Sequence, residues 1–86
     1  PVIIGELGNG GPKAGKNMLS IRAAQKAVAK RKELGGNVKF IATTTFARPK
    51  EQSPNVGHGH HWFGNAESYF LIGDALGRGM VDLLRE

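Results

Sequence analysis

The sequence predicts an α/β fold in which two parallel strands alternate with two helices. Residues 1–7 and 38–46 are short runs rich in apolar, β-branched and aromatic side chains, a composition typical of strands. Each run is followed, after a loop, by a stretch whose apolar residues recur at helical spacing. Because strand, helix and strand in this order form a βαβ unit, the two strands are expected to be parallel.

The first strand is expected to be buried on both faces. Its sequence, PVIIGEL, is a nearly continuous apolar run, which is the pattern of a strand inside a parallel sheet. Residues 8–15, GNGGPKAG, then combine glycine, asparagine and proline, which supply the backbone angles of turns. A loop is therefore predicted between the first strand and the first helix.

The first helix is predicted to begin with Asn17 as its N-cap and to end at Gly35 and Gly36. Its apolar stripe is expected to consist of four residues at helical spacing, Met18, Ile21, Ala24 and Val28. Three basic residues fall four apart on another line of the helix and are expected to face solvent: Arg22, Lys26 and Lys30.

The second half of the chain is predicted to contain a strand, a long loop and a helix. Residues 47–64 show neither helical nor strand periodicity. Asn65 is the expected N-cap of the last helix, and Glu67 lies favourably in its first turn. Gly73 and Gly77, one turn apart, are expected to let this helix approach the sheet closely. Its apolar stripe is expected to consist of Tyr69, Ile72, Leu76, Met80 and Leu83.

The two loops that follow the strands are expected at one edge of the sheet. Open α/β sheets bind ligands at the carboxyl ends of their strands, and residues 8–15 and 47–64 both leave the sheet there. Two parallel strands alone would leave apolar faces and edges open. The chain begins with Pro1 rather than Met, so we expect a fragment of a longer protein. The remainder of that protein, or a partner, would complete the sheet.

The composition restricts the classes of partner. The net charge is +5, with twelve basic and seven acidic side chains, and most of the excess lies between Lys13 and Lys39. No nucleic-acid partner is expected, because the helical part of this region lacks aromatic residues for base stacking. No membrane partner is expected, because no apolar run approaches the roughly 18 residues of a span. The chain has no cysteine, so its sequence does not distinguish an oxidising from a reducing compartment.

The glycine-rich loop partly matches a phosphate-binding motif. Gly10, Gly15 and Lys16 have the spacing of G-x-x-x-x-G-K-[ST], but Asn17 has no hydroxyl group for a magnesium ion. Pro12 also removes one backbone donor from the loop. Because the match is partial, a small basic module that binds a nucleotide at this loop is kept only as an alternative function.

All the histidines of the chain, His58, His60 and His61, lie within four positions. Clustered imidazoles can bind zinc, nickel or copper, which makes a metal-binding module the other alternative. Metal sites normally take three or four ligands from rigid elements, and no second cluster of cysteine, histidine or carboxylate residues accompanies these three. The favoured interpretation therefore includes no metal.

A single histidine that acts as a general base is the third interpretation. A positioned imidazole can take a proton from a serine hydroxyl and return it to the leaving group. The serines of this chain, Ser20, Ser53 and Ser68, lie in helices or in the long loop, and none has a G-x-S-x-G setting. The serine that such a base would activate is therefore expected outside these residues.

Three segments of the chain together resemble one protein family: VIIGELG at 2–8, IRAAQ at 21–25 and HHWFGNAESYFLIGDALG at 60–77. They resemble the C-terminal part of the sialate O-acetylesterase-like carbohydrate esterases, which are SGNH hydrolases. The resemblance covers nearly the whole chain and is most specific in the last segment. It implies that residues 1–86 are the β-α-β-α C-terminal portion of one flavodoxin-like, three-layer α/β/α domain with parallel strands.

The resemblance also implies a reaction. Enzymes of this kind remove acyl groups, typically acetyl, from carbohydrates by serine–histidine catalysis without a metal or organic cofactor. The serine belongs to an N-terminal block and the oxyanion-hole residues to middle blocks. The isolated chain would then be inactive, and a secreted or periplasmic location of the parent protein is one option.

The family's catalytic histidine corresponds best to His61, which an aromatic residue follows, and less well to His60. Many SGNH hydrolases carry an aspartate three positions before this histidine, where the present chain has His58. The acidic residue of the triad is therefore not identified. His61 could work in a dyad, through a backbone carbonyl or with another carboxylate, for which Glu6 is a candidate by location alone.

Overall fold

The computed structural model describes residues 1–86 and contains two strands, two α-helices and five short 3₁₀ turns. Strand β1 spans Val2–Gly5, helix α1 spans Lys16–Ala29, strand β2 spans Val38–Ile41 and helix α2 spans Ala66–Leu84. The strands pair in parallel, with Val2 opposite Val38 and Gly5 opposite Ile41. The predicted α/β order with parallel strands is confirmed.

The two helices lie on opposite faces of the sheet. Side chains alternate between the faces of a strand, so Ile3 and Ile41 share one face. Gly79 of α2 lies against that face, because a Cβ atom built on it would be 2.6 Å from Cδ1 of Ile41 and 3.3 Å from Cδ1 of Ile3. Since α2 thus covers both strands of a narrow sheet, α1, which also contacts β2, packs against the other face.

The inward side of α2 follows the predicted stripe for Ile72, Leu76, Met80 and Leu83, whereas Tyr69 is 49% exposed. Gly73 and Gly77 are exposed, and nothing lies within 4 Å of a Cβ atom built on either. The prediction that they bring α2 close to the sheet is therefore wrong. Each follows an inward residue by one position, or about 100° around the helix, and the close approach occurs at Gly79.

The inward side of α1 mixes polar and apolar residues, and of the predicted apolar stripe only Met18 lies on it. Ile21 and Val28, which were expected in the apolar stripe, are 47% and 42% exposed. Arg22, which was expected to face solvent with Lys26 and Lys30, is only 7% exposed. The physical reason is that its guanidinium group binds backbone carbonyls of the glycine-rich loop, which would otherwise lack donors.

Three predicted boundaries also move. Helix α1 begins at Lys16 with Gly15 as its N-cap, and it ends at Ala29, because Arg31 is extended (φ −68°, ψ 132°) and precedes a separate 3₁₀ turn, Lys32–Leu34. Strand β2 ends at Ile41 rather than at residue 46. The threonine-rich end of the predicted strand forms a 3₁₀ turn at Thr44–Phe46 instead.

The fold has no apolar core. The buried residues are three glycines and four polar residues: Gly8, Gly11, Arg22, Thr43, Asn65, Ser68 and Gly79. Large apolar side chains such as Phe70 and Leu84 are 72% and 67% exposed. Neither α-helix combines the length and the apolar character that crossing a bilayer requires.

Candidate functional site

The loops that follow β1 and β2 enclose a cleft of about 450 Å³ at the carboxyl edge of the sheet. Residues 10–13 of the glycine-rich loop form one wall, and residues 47–51 form another. Gly59, Trp62 and Phe63 of the histidine-containing turn complete the lining. The parallel topology therefore brings the two loops to one site, as the order of the elements predicts.

The glycine-rich wall of the cleft is held by the side chain of Arg22. Its Nε donates to the carbonyl of Leu7 at 2.5 Å, and its two terminal nitrogens donate to the carbonyls of Gly11 at 2.9 Å and Asn9 at 3.0 Å. No carboxylate forms an ion pair with this buried cation. Three carbonyl dipoles therefore compensate its charge, and the loop backbone is fixed to α1 in return.

Glu6 joins the end of β1 to the segment after β2. Its Oε1 accepts the backbone N–H groups of Thr43 at 2.8 Å and Thr44 at 3.1 Å. The hydroxyl group of Thr43 donates to the carbonyl of Glu6 at 2.9 Å. This set of bonds ends β2 and stabilises the turn at Thr44–Phe46, which leads into the second wall of the cleft. No hydrogen bond joins Glu6 to a histidine.

The three histidines are exposed and lie close together on the 3₁₀ turn Gly59–Gly64 and its N-cap. The ring centroids of His60 and His61 are 4.2 Å apart, and the ring of His58 lies 6.3 Å and 6.2 Å from them. Proximity alone does not make a metal site, and no group of three ligand side chains in the chain is arranged to hold an ion.

The backbone after His61 is unusual. Trp62 and Phe63 have φ angles of 56° and 54°, and Gly64 follows at 65°. Such left-handed angles are rare for bulky side chains and cost on the order of 1–3 kcal/mol per residue. Contacts outside the turn must therefore stabilise it. A Cβ atom on Gly64 would be 2.5 Å from Nδ2 of Asn55, which explains a glycine at this position.

Five hydrogen bonds join residues of this turn, Gly59–Gly64, to groups outside it. The N–H groups of His61 and Phe63 donate to the carbonyl of His58 at 3.0 Å and 2.9 Å. The carbonyls of Trp62 and Phe63 accept from the N–H groups of Asn65 at 3.0 Å and Asn55 at 2.9 Å. The fifth bond comes from a side chain: the hydroxyl group of Tyr69 donates to the carbonyl of His61 at 2.6 Å.

Side-chain hydrogen bonds fix the start of α2 to loop segments that precede the turn. Asn65 is the N-cap, as predicted, and its Oδ1 accepts the N–H of Ser68 at 3.0 Å. Its Nδ2 donates to Oγ of Ser53 at 3.0 Å. The hydroxyl group of Ser68 donates to the carbonyl of Phe46 at 2.7 Å. Glu67 forms an ion pair with Arg48, which lines the cleft.

The predicted site residues occupy different parts of this edge. His61 lies on the turn that borders the cleft but not among the lining residues, and its ring forms no hydrogen bond with a carboxylate. Of the phosphate-like motif, Gly10 lines the cleft, whereas Gly15 and Lys16 lie at the start of α1. The sequence predicts the two loops but not the hydrogen bonds that hold them in place.

Arg22 and Tyr69 were missed as residues that support the site. Both had been placed on helix faces by periodicity, Arg22 on the solvent side and Tyr69 in the apolar stripe. One signal was available: a loop with four glycines in residues 8–15 leaves many backbone groups without regular partners, so a nearby donor-rich side chain is needed. Nothing in the sequence indicates the left-handed turn at Trp62 and Phe63.

Comparison with protein-family models, with curated proteins and with solved structures gave no significant match.

Proposed function

We propose that residues 1–86 are the C-terminal part of an SGNH-type carbohydrate esterase in which His61 is the general base. The observation that carries the proposal is the position of His61. This exposed histidine precedes Trp62 and Phe63, which line a cleft at the carboxyl edge of a parallel sheet. Enzymes with open α/β sheets place their ligands at that edge, in clefts with aromatic lining and a few polar groups.

The architecture supports a part of a larger flavodoxin-like domain. The parallel pair β1 and β2, with α1 and α2 on opposite faces, corresponds to one section of a three-layer α/β/α sandwich. Strands of parallel sheets are normally covered on both faces and paired on both edges. The exposed apolar side chains of this chain supply surface on which the remainder of such a domain would pack.

The proposed reaction is acyl transfer in two steps. A serine from outside these residues attacks the ester carbonyl of an O-acylated sugar, and His61 takes the serine proton. The C–O bond to the sugar then breaks, and the protonated imidazole returns the proton to the sugar oxygen. In the second step His61 takes a proton from water, which attacks the acyl-serine, and returns the proton to serine as the carboxylic acid leaves.

The proposal assigns the sugar to the cleft. Trp62 and Phe63 offer apolar ring surface to a pyranose, while Lys13, Lys50 and Glu51 can exchange hydrogen bonds with its hydroxyl groups. The chemistry needs no metal or organic cofactor. No carboxylate forms a hydrogen bond with the ring of His61. His61 therefore works with the serine as a dyad, or an acid from the same outside segment as the serine orients it.

The test is His61→Ala in the longer protein that contains the chain and its serine. Turnover of an O-acetylated sugar should fall by about 10³-fold or more, because loss of a general base removes proton transfer from both steps. The far-ultraviolet circular dichroism should stay unchanged, since the side chain is exposed. His60→Ala is the matched control, and we expect its turnover to fall less than about threefold.

The reverse result is equally clear. A His61→Ala enzyme that retains turnover while His60→Ala loses it would move the role to His60, and retention in both would contradict the esterase mechanism. The isolated chain should not hydrolyse an aryl acetate by covalent catalysis. Trapping of an acyl group on Ser20, Ser53 or Ser68 would contradict the expectation that the serine lies outside.

A binding module for nucleotide is the second candidate, because Lys13 and Lys50 line the same cleft as Trp62. Ammonium groups bind phosphates and an indole ring can stack on a base. The chain contains one tryptophan, so a fluorescence titration with nucleotide reads this site directly. Saturable quenching together with no effect of an acetylated sugar would favour this candidate over the esterase.

A further inference from the structure

One side-chain hydrogen bond reaches the turn that carries His61. The left-handed angles at Trp62 and Phe63 persist only if surrounding contacts determine them. Of the five bonds that join the turn to groups outside it, four are between backbone groups, and most of these partners belong to the same irregular segment. The bond from the Tyr69 hydroxyl group to the His61 carbonyl, at 2.6 Å, is the one that connects the turn to a side chain of a regular helix.

Tyr69 lies in a part of α2 that hydrogen bonds hold in place. It lies in the first turn of α2, and the capping bond of Asn65 to Ser68 fixes that turn. The Tyr69 N–H also donates to the carbonyl of Asn65 at 3.2 Å. The phenol is about half exposed, so its packing contributes little and its hydroxyl group makes the specific contact.

We propose that Tyr69 is a positioning residue for His61, an inference that rests on the proposed function. Its hydroxyl group fixes the carbonyl of His61 and hence the peptide plane between His61 and Trp62. The backbone angles of a residue determine the direction of its Cα–Cβ bond, so the imidazole is aimed by the same bond. The ring has no carboxylate partner to orient it. Tyr69 thus acts through His61 and does not need to touch the substrate.

Tyr69→Phe in the longer, serine-containing protein tests the inference. The variant should lower kcat about tenfold and leave KM within about twofold, because a misaligned base impairs proton transfer and not ground-state binding. Nuclear magnetic resonance supplies a second readout. Positive φ angles give strong nuclear Overhauser effects between the amide proton and the Hα of one residue, and these should weaken at Trp62 and Phe63.

Ser68→Ala is the matched control, because it removes a hydroxyl group from the preceding residue of the same helix. That hydroxyl binds the carbonyl of Phe46, which is not part of the turn. We expect a lower Tm with kcat and the signals of Trp62 and Phe63 unchanged. A Ser68→Ala variant with the same kinetic defect as Tyr69→Phe would show that general stability, rather than positioning, explains both.

A double variant separates positioning from loss of folding. Glycine adopts positive φ without strain, so Tyr69→Phe should lower kcat less in a Phe63→Gly background than in the wild-type background. Comparison within one background cancels the lost contact of the Phe63 ring with the sugar. An equal loss of kcat from Tyr69→Phe in both backgrounds would overturn the inference, as would an unchanged kcat in Tyr69→Phe. In both cases a loss of activity in His61→Ala would leave the proposed function standing. Full activity in His61→Ala would remove the proposed function and this inference together.

Discussion

At the scale of single residues, the site is built from polar contacts between backbone and side chain. Gly8 shows how tightly these contacts are packed, because it is buried against the residues that bind Glu6. A Cβ atom on Gly8 would overlap Oγ1 of Thr43 and would be 3.0 Å from both the carbonyl carbon of Thr43 and the nitrogen of Thr44. Two of these three atoms are backbone atoms, which cannot rotate away.

We therefore predict that Gly8→Ala destabilises the fold by about 3 kcal/mol, the upper part of the usual range for overpacking. The clash displaces Thr43 and breaks its bonds to Glu6, so the loop after β2 should lose order as well. Urea unfolding measures the free energy, and the amide signals of Thr43 and Thr44 report the local change. Gly57→Ala is the control, because nothing lies within 4 Å of its Cβ position.

A change of about 0.5 kcal/mol or less is expected for Gly57→Ala, as for other open surface positions. If both variants lose the same stability, the cost arises from glycine flexibility in loops and not from contact with Thr43. If neither does, the close approach of the two loops is not maintained in solution.

How much of the site could be predicted depends on whether the signal is local. The Asn65 cap was predictable because an N-cap bonds to a residue three positions away. The bonds of Arg22 and Tyr69 reach backbone groups 15 and 8 positions away, and periodicity gives no information on such partners. The role of His61 as a base stays a prediction, and only the fold shows which groups lie around it.

At the scale of elements, α2 shows that helical phase decides the value of a glycine. Gly79 faces the sheet, whereas Gly73 and Gly77 face solvent with open space around them. The sequence predicted the existence, N-cap and main apolar stripe of α2. It failed at the glycines because spacing alone does not identify which glycine of three lies at the contact.

Gly73→Ala and Gly77→Ala should each stabilise the chain by about 0.8–1 kcal/mol, the difference in helix propensity between alanine and glycine. Gly79→Ala has the same propensity gain, but its methyl group meets Ile41 and Ile3 at 2.6–3.3 Å. Overpacking costs about 1–3 kcal/mol, so a net loss of stability is expected. Thermal unfolding of the three variants, which share one helix and one substitution, gives the comparison.

Equal stabilisation by all three substitutions would show that α2 does not pack on the sheet at Gly79. Equal destabilisation would show instead that Gly73 and Gly77 contact other residues of the chain. Destabilisation by Gly73→Ala and Gly77→Ala only in the proposed longer protein would show that another segment covers them there.

At the scale of the whole molecule, the chain buries little apolar surface. A chain of this size normally buries only about three-fifths of its unfolded surface, and here no apolar side chain is fully buried. Parallel order and the meeting of the loops followed from the sequence because topology fixes them. The absence of an apolar core could not be predicted, because periodicity tells which residues share a face but not whether anything covers that face.

The isolated chain should therefore unfold with a small heat-capacity change. Fully packed domains show about 12–15 cal/mol/K per residue, and this value scales with the apolar surface that unfolding exposes. Calorimetry of the 86 residues alone should give clearly less per residue, with a broad transition, while the proposed longer protein should reach the usual value.

Phe70→Ser tests the cause: it should change the free energy of unfolding of the isolated chain by about 0.5 kcal/mol or less, because the side chain is already 72% exposed. In the longer protein the same substitution should cost about 2 kcal/mol or more if the remainder of the domain packs on this face of α2. A sharp transition with a full heat-capacity change in the isolated chain would contradict the need for a larger domain, and with it the structural half of the esterase proposal.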